Sequence, residues 1–202
     1  MSKNQQAALG ASEGNAAKMS SRERLVDAAS IEFAEKGFGG ASIREICKRA
    51  ETSSNMIHHY FGSKQGLYDE LLSSLSEEVF NTPIRIIQEP AKSRENMIAR
   101  LELFIEETLE ALIARANTYR LVLREQTVLD VFENYNNQFV AFLDSGKAAG
   151  FVRPELDSEM LTGLILDRLG NQIVYASWIK ETVGQNVMTD GSYKKRWLAA
   201  NL

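Results

Sequence analysis

Between Ser53 and Lys64 the chain places Ser53, Ser54, Asn55, His58, His59 and Tyr60, six side chains with hydrogen-bonding heads, followed by a lysine and without one carboxylate among them. In a chain with 27 Asp or Glu against 23 Lys or Arg, such a run is unusual. Its chemistry is recognition through donors and acceptors, not bond making. If the run is helical, Ile57 and Phe61, four apart, can be buried, which turns Ser54, Asn55, His58 and His59 outward with Met56 at the margin. Adjacent His58 and His59 point about 100° apart on a helix and cannot both ligate one metal from one chain, so no metal site is expected. Lys64 stands in the first turn of the next helix, where the macrodipole disfavours a cation, so something negative is expected opposite it.

The elements that position this run are legible around it. Ser42 with Glu45 three residues on forms a capping box that starts a helix at Ile43. Ile43, Ile46, Cys47 and Ala50 then make one buried stripe. Glu51, Thr52 and Ser53 give a tight turn, and Ser53 or Ser54 caps the next helix. Gly62 breaks that helix and Ser63 caps another. Ahead of them, Ser20 or Ser21 opens a helix from Arg22 to about Lys36, with Leu25, Ala28, Ala29 and Phe33 on one face and Gly37 at its end. Behind them a connector helix runs from Lys64 to about Phe80, with Leu67, Leu71, Leu72, Leu75 and Val79 on one face. Two short helices across a tight turn, the second with a polar exposed face, is the helix-turn-helix pattern that sets a recognition helix in the DNA major groove.

From about Arg22 to Leu72, the stretches FAEKGF, SIREICKRA and HHYFGSKQGLYDELL resemble the N-terminal domain of TetR-family transcriptional regulators. The resemblance is close over about a quarter of the chain, and the remainder is similar only in helical layout. It implies an all-α fold, with a three-helix helix-turn-helix domain joined by a connector helix to a helical ligand-binding and dimerisation domain. It implies that Asn55, Met56, His58 and His59 face bases, while Ser53, Ser54, Tyr60 and Lys64 meet phosphates; Ser42, at the start of the preceding helix, joins the DNA-binding set. Asn55 suits adenine, His58 or His59 can donate to guanine, and Met56 can touch a thymine methyl. Glu51 departs from the pattern, standing where the family commonly has glycine for a positive-φ residue.

Composition bounds the rest. The 202 residues, 44% hydrophobic, suffice for one or two domains with a sizeable core. Residues 1–19 are polar, small and aperiodic, and read as a flexible tail and not a signal peptide. No window nears eighteen uninterrupted apolar residues, so no membrane span is expected and the chain is expected in the cytoplasm. A single cysteine, Cys47, excludes an intrachain disulfide. The net charge of -4 is divided unevenly, with +2 over residues 1–64 and -6 over 65–202. A modest basic face on an acidic body fits a DNA reader that relies on geometry and pairing more than on bulk charge.

Asn81-Thr82-Pro83 is expected to break the connector, giving domains 20–82 and 83–202. Long amphipathic helices are expected from Ser93 to about Arg115, from a Thr118 cap onward, from Val128 to Gly150, and from Asp157 or Ser158 to about Val183. A short last helix follows over 192–202. Polar groups inside otherwise apolar helices suggest a small-molecule pocket drawing on Phe104, Leu123, Gln126, Phe132, Tyr135, Phe139, Arg168, Asn171, Gln172 and Tyr175. Gly163, Gly170 and Ser177 recur every seven residues and, with Leu166, Ile173, Val174 and Trp197, are expected to pair two copies of the chain. The family resemblance implies the same use for the last helices.

No G-x-S-x-G, H-E-x-x-H or phosphate loop is present, so neither an enzyme nor a cofactor is expected. The reading is a ligand-released, DNA-binding repressor acting as a homodimer on a palindromic operator, without a membrane partner. Its alternatives are a regulator without a small ligand, controlled by a protein partner or acting as an activator, and a helical small-molecule-binding protein or enzyme with a degenerate DNA-binding domain.

Overall fold

The computed structural model describes residues 19–127 and 130–200, and every regular element among them is a helix. The expected tail lies outside them apart from Met19, as do Val128 and Leu202. A division between Ser73 and Ser74 separates two compact units.

The N-terminal unit holds α1 (Ser21–Gly40), α2 (Ile43–Arg49), α3 (Ser54–Phe61) and most of α4 (Lys64–Leu75). Ser20 caps α1 in a reciprocal box: its hydroxyl accepts from the Glu23 amide at 3.2 Å, and its own amide donates to the Glu23 carboxylate at 2.7 Å. Gly37, with φ 73°, interrupts α1 where the sequence places its end. The Ser42 hydroxyl accepts from the amide of Arg44, not of Glu45, so α2 opens on a simple cap in place of the expected box. Leu25, Phe33, Ile46, Ile57 and Leu67 are fully buried, each contributing about 1.5–3 kcal/mol relative to exposure. Arg24 ties α1 to the end of α2, its Nε donating to the Ala50 carbonyl at 3.0 Å. The one buried carboxylate of this unit among the described residues, Glu32, is neutralised by Lys36 at 2.6 Å and Arg49 at 3.6 Å.

The C-terminal unit begins inside the connector. Instead of one α-helix to Phe80, Ser76–Asn81 is wound as a π-helix and runs directly into α5 (Thr82–Ile84) and a 3-10 turn, Arg85–Ile87. Pro83 does not break the chain there because it sits in the first turn of α5, where a missing N–H removes no helical bond. Then come α6 (Arg94–Ala114), α7 (Ala116–Glu125), α8 (Asp130–Ala148), α9 (Ser158–Val174), α10 (Ala176–Val183) and α11 (Gly191–Ala199). Ser93 and Asp157 cap α6 and α9 as their sequence positions predict. Thr118 does not cap α7, which starts at Ala116 and leaves Thr118 buried in its first turn.

The helix expected to run unbroken to Val183 is interrupted at Tyr175 (φ -98°, ψ 16°). The guanidinium of Arg120 occupies the break, donating to the Ile173 carbonyl through Nε at 3.2 Å and Nη2 at 2.8 Å. That carbonyl therefore keeps a charged partner where the helix ends. Burial lowers the Arg120 guanidinium from its ordinary value. The core gathers Leu109 and Leu112 of α6, Phe139, Phe142 and Leu143 of α8, and Leu169 and Ile173 of α9.

Candidate nucleic-acid interface and ligand site

The α3 surface arises from a simple division of its residues. Ile57 is fully buried and Phe61 half-buried, so Ser54, Asn55, His58, His59 and Tyr60 are left exposed with Met56 at the edge. Ser53 is the N-cap by position, yet its hydroxyl makes no capping bond. Ser63 does cap α4, accepting from the Gly66 amide at 3.0 Å. Ser42 is exposed at the start of α2. His59 and Tyr60 meet edge to face with centroids 4.9 Å apart. His58 is more constrained than its exposure suggests, because its Nδ1 lies 3.0 Å from the carbonyl oxygen of Gly62.

Two features of this surface differ from what local sequence suggests. Lys64 has its ammonium 4.6 Å from the centre of the Phe38 ring. The ring's negative face offsets part of the cost of a cation at a helix N-terminus. Phe38 was not among the sequence candidates, and nothing in its spacing from Lys64 marks the pairing; it belongs to an aromatic group in which Tyr68 meets Phe33 at 5.4 Å and Phe38 at 4.9 Å. Glu51 has φ 52°. Its amide bonds the Lys48 carbonyl at 3.3 Å and that of Thr52 bonds Cys47 at 3.0 Å, a complete Schellman closure of α2 with glutamate in the left-handed position.

In the C-terminal unit the ten sequence candidates for a pocket separate into three places. Phe104, Tyr135 and Phe139 are fully buried and packed as rings, with Phe104 5.7 Å from Tyr135 and 4.8 Å from Phe139. Phe80 of the π segment joins them, 5.2 Å from Tyr135 and 5.7 Å from Phe132, which is itself 49% exposed. The Tyr135 hydroxyl and Thr108 share a hydrogen bond of 3.2 Å, and burial pushes the phenol well above its ordinary range. Leu123 and Gln126 lie exposed at the end of α7, where Gln126 takes φ 51°. Arg168, Asn171 and Tyr175 are exposed on or just after α9. Arg168 borders an open groove of about 150 Å³ with Ile105, Leu161, Ile165, Leu169 and Trp197. Gln172 is half-buried, and its Oε1 has no hydrogen-bond partner among the described residues.

The small-residue stripe on α9 is likewise divided. Gly170 is buried, and a Cβ there would meet the Tyr119 hydroxyl at 2.5 Å; Ile173 is fully buried. Both positions serve packing within the chain. Gly163 is open at its Cβ position, Val174 and Ser177 are exposed, and Leu166 and Trp197 are half-buried. Exposed apolar groups on and between α9 and α10 include Met160 (64%), Leu164 (54%) and Trp178 (63%) besides Val174, Tyr175 and Val183. The four-residue spacing of Met160 and Leu164 was the available signal for that face.

Residues 25–71, which hold the α3 surface, match the family model of bacterial regulatory proteins of the tetR family. Over 156 residues, 73% of this chain and 77% of the relative, the sequence is 28% identical to the HTH-type transcriptional repressor KstR2 of Mycobacterium tuberculosis. It is 26% identical over 153 residues to the HTH-type transcriptional regulator UidR of Escherichia coli, covering 72% and 76% of the two chains. The solved structure of the ketosteroid transcriptional regulator KstR2 of Mycobacterium tuberculosis is similar in fold, with a TM-score of 0.62 at 23% identity over 77% of this chain and 83% of that one. In its helix-turn-helix segment the chain is thus similar to bacterial regulatory proteins of the tetR family, and in fold to a solved regulator.

Proposed function

We propose that this DNA-binding regulator is a homodimeric repressor that holds a palindromic operator in the cytoplasm and is released from it by a small-molecule effector. The observation that carries the reading is the exposed side of α3: Ser54, Asn55, His58, His59 and Tyr60 face solvent, and no carboxylate stands on the helix. Asn55, Met56, His58 and His59 read bases. Ser42, Ser53, Ser54, Tyr60 and Lys64 hold phosphates, Ser53 with a hydroxyl that is not spent on a cap.

With a net charge of only +2 over residues 1–64, one copy has little electrostatic hold on DNA. Two copies with recognition helices about 34–36 Å apart gain both grooves at once. Residues 20–82 serve DNA binding and residues 83–202 serve ligand and dimer contacts. The exposed apolar side of α9 and α10, with Leu164, Val174 and Trp178 beside Gly163 and Ser177, is the surface that pairs the copies.

An effector that enters among Phe104, Phe132, Tyr135 and Phe139 must displace or repack Phe80, which stands on the π segment continuing from α4. π turns inside helices are frequent at functional sites, and rewinding this segment to α geometry supplies an element with two states. Only a ligand with different affinities for those states shifts the operator equilibrium, with a coupling of about 1–3 kcal/mol on the usual scale. The test is selection of DNA from a random pool by the full chain, repeated with candidate effectors. An enriched palindrome lost on adding one effector is expected. Absence of any enriched sequence would refute the reading.

A further inference from the structure

We infer that His58 reads an amino group on a base edge, accepting a hydrogen bond at Nε2 from adenine N6 or cytosine N4. The inference rests on α3 being the recognition helix. It follows from the partner of the other ring nitrogen. Nδ1 lies 3.0 Å from the Gly62 carbonyl oxygen. A carbonyl oxygen has no proton to give, so the hydrogen bond requires the proton on Nδ1. The neutral imidazole then has a lone pair and no hydrogen on Nε2. A histidine free in solution would exchange tautomers and present either a donor or an acceptor. His58 presents an acceptor.

The backbone reinforces the constraint. Gly62 takes φ 74° to close α3, and its amide donates back to the His58 carbonyl at 3.1 Å. Ring and main chain of His58 are thus both tied to the same glycine, which holds the side chain in one rotamer before DNA arrives. The ring remains exposed, so Nε2 is the edge it offers outward. Ser54, Asn55, His59 and Tyr60, the other polar groups of this face, carry both donor and acceptor capacity. His58 therefore contributes a one-sided requirement. In the major groove adenine N6 and cytosine N4 are donors, while guanine N7 and O6 and thymine O4 are acceptors that would set lone pair against lone pair. The direction is opposite to the guanine contact that histidine suggests when its ring is treated as a free donor.

The test uses the full chain at pH 8. DNA selected from a random pool by the parent and by His58→Phe identifies the position at which the ring matters. At that position, an analogue lacking the amino group, purine for adenine or 2-pyrimidinone for cytosine, is then placed in the selected site. The expected result is that the parent loses about five- to tenfold in affinity on amino deletion, the scale of one hydrogen bond, while His58→Phe binds both DNAs alike and keeps the parent's preferences elsewhere. His58→Arg, with donors only, should shift the preference to guanine. If amino deletion leaves parent binding unchanged, or 7-deazapurine substitution there weakens it instead, the inference is overturned while DNA reading by α3 stands. A parent that selects no sequence at all overturns both.

Discussion

Replacing Glu51 separates two effects that the turn between α2 and α3 combines. The residue holds φ 52° in a Schellman closure, a conformation that costs a non-glycine residue about 1–2 kcal/mol. Glycine removes that cost but adds about 0.5–1 kcal/mol of unfolded-state entropy. Glu51→Gly should therefore stabilise the chain by about 0.5–1 kcal/mol, which for a chain of this size raises Tm by about 1–4 °C. The carboxylate is exposed one turn ahead of α3, the helix proposed to read DNA. At a separation of about 10 Å its repulsion of a phosphate is about 0.4–0.8 kcal/mol, a two- to fourfold weakening at low salt. Glu51→Ala keeps the strain and removes the charge, so it should tighten operator binding as much as Glu51→Gly without raising Tm. Thermal unfolding and a salt titration of operator binding on the three proteins read the two effects independently. A Glu51→Gly protein no more stable than Glu51→Ala would refute the strain argument. Unchanged affinity in both would show that α3 does not approach DNA from this side.

Gly66→Ala should destabilise the N-terminal unit markedly, because its Cβ would overlap the Phe61 backbone carbonyl, and chemical denaturation would show it as a lowered midpoint. Lys64→Ala should weaken binding to every DNA sequence and lower the salt slope by about one per subunit. Phe38→Leu, which removes the ring beneath the ammonium, should weaken binding in the same sequence-independent way but by less, which filter binding at two salt concentrations would read. Arg120→Ala should cost about 1.5–3 kcal/mol in urea unfolding, since the Ile173 carbonyl loses two charged donors at the helix break. Leu164→Lys combined with Trp178→Lys should give monomers in sedimentation, and an unchanged dimer would place the pairing surface elsewhere. Gly170→Leu is no test of pairing, because it would collide with Tyr119 inside its own chain.

The sequence by itself determined the helical class, the helix-turn-helix and the outward polar side of α3. These depend on local rules: a cap at Ser20, a stop at Gly37, and the four-residue spacing of Ile57 and Phe61 that fills the interior and leaves the polar groups outside. The family resemblance singled out Glu51, which stands where glycine is common, and the structure gives it φ 52°. Tertiary structure alone decided what each long-range neighbour does. Gly170 looks the same in sequence whether its open side receives Tyr119 or a second chain. Phe38 beneath Lys64 and Phe80 among the α8 rings are contacts between elements with no fixed spacing. The break at Tyr175 depends on a guanidinium arriving from α7, which no periodicity along α9 records. Whether His58 gives or accepts a hydrogen bond depends on one carbonyl four residues away, brought to the ring by the backbone turn at Gly62.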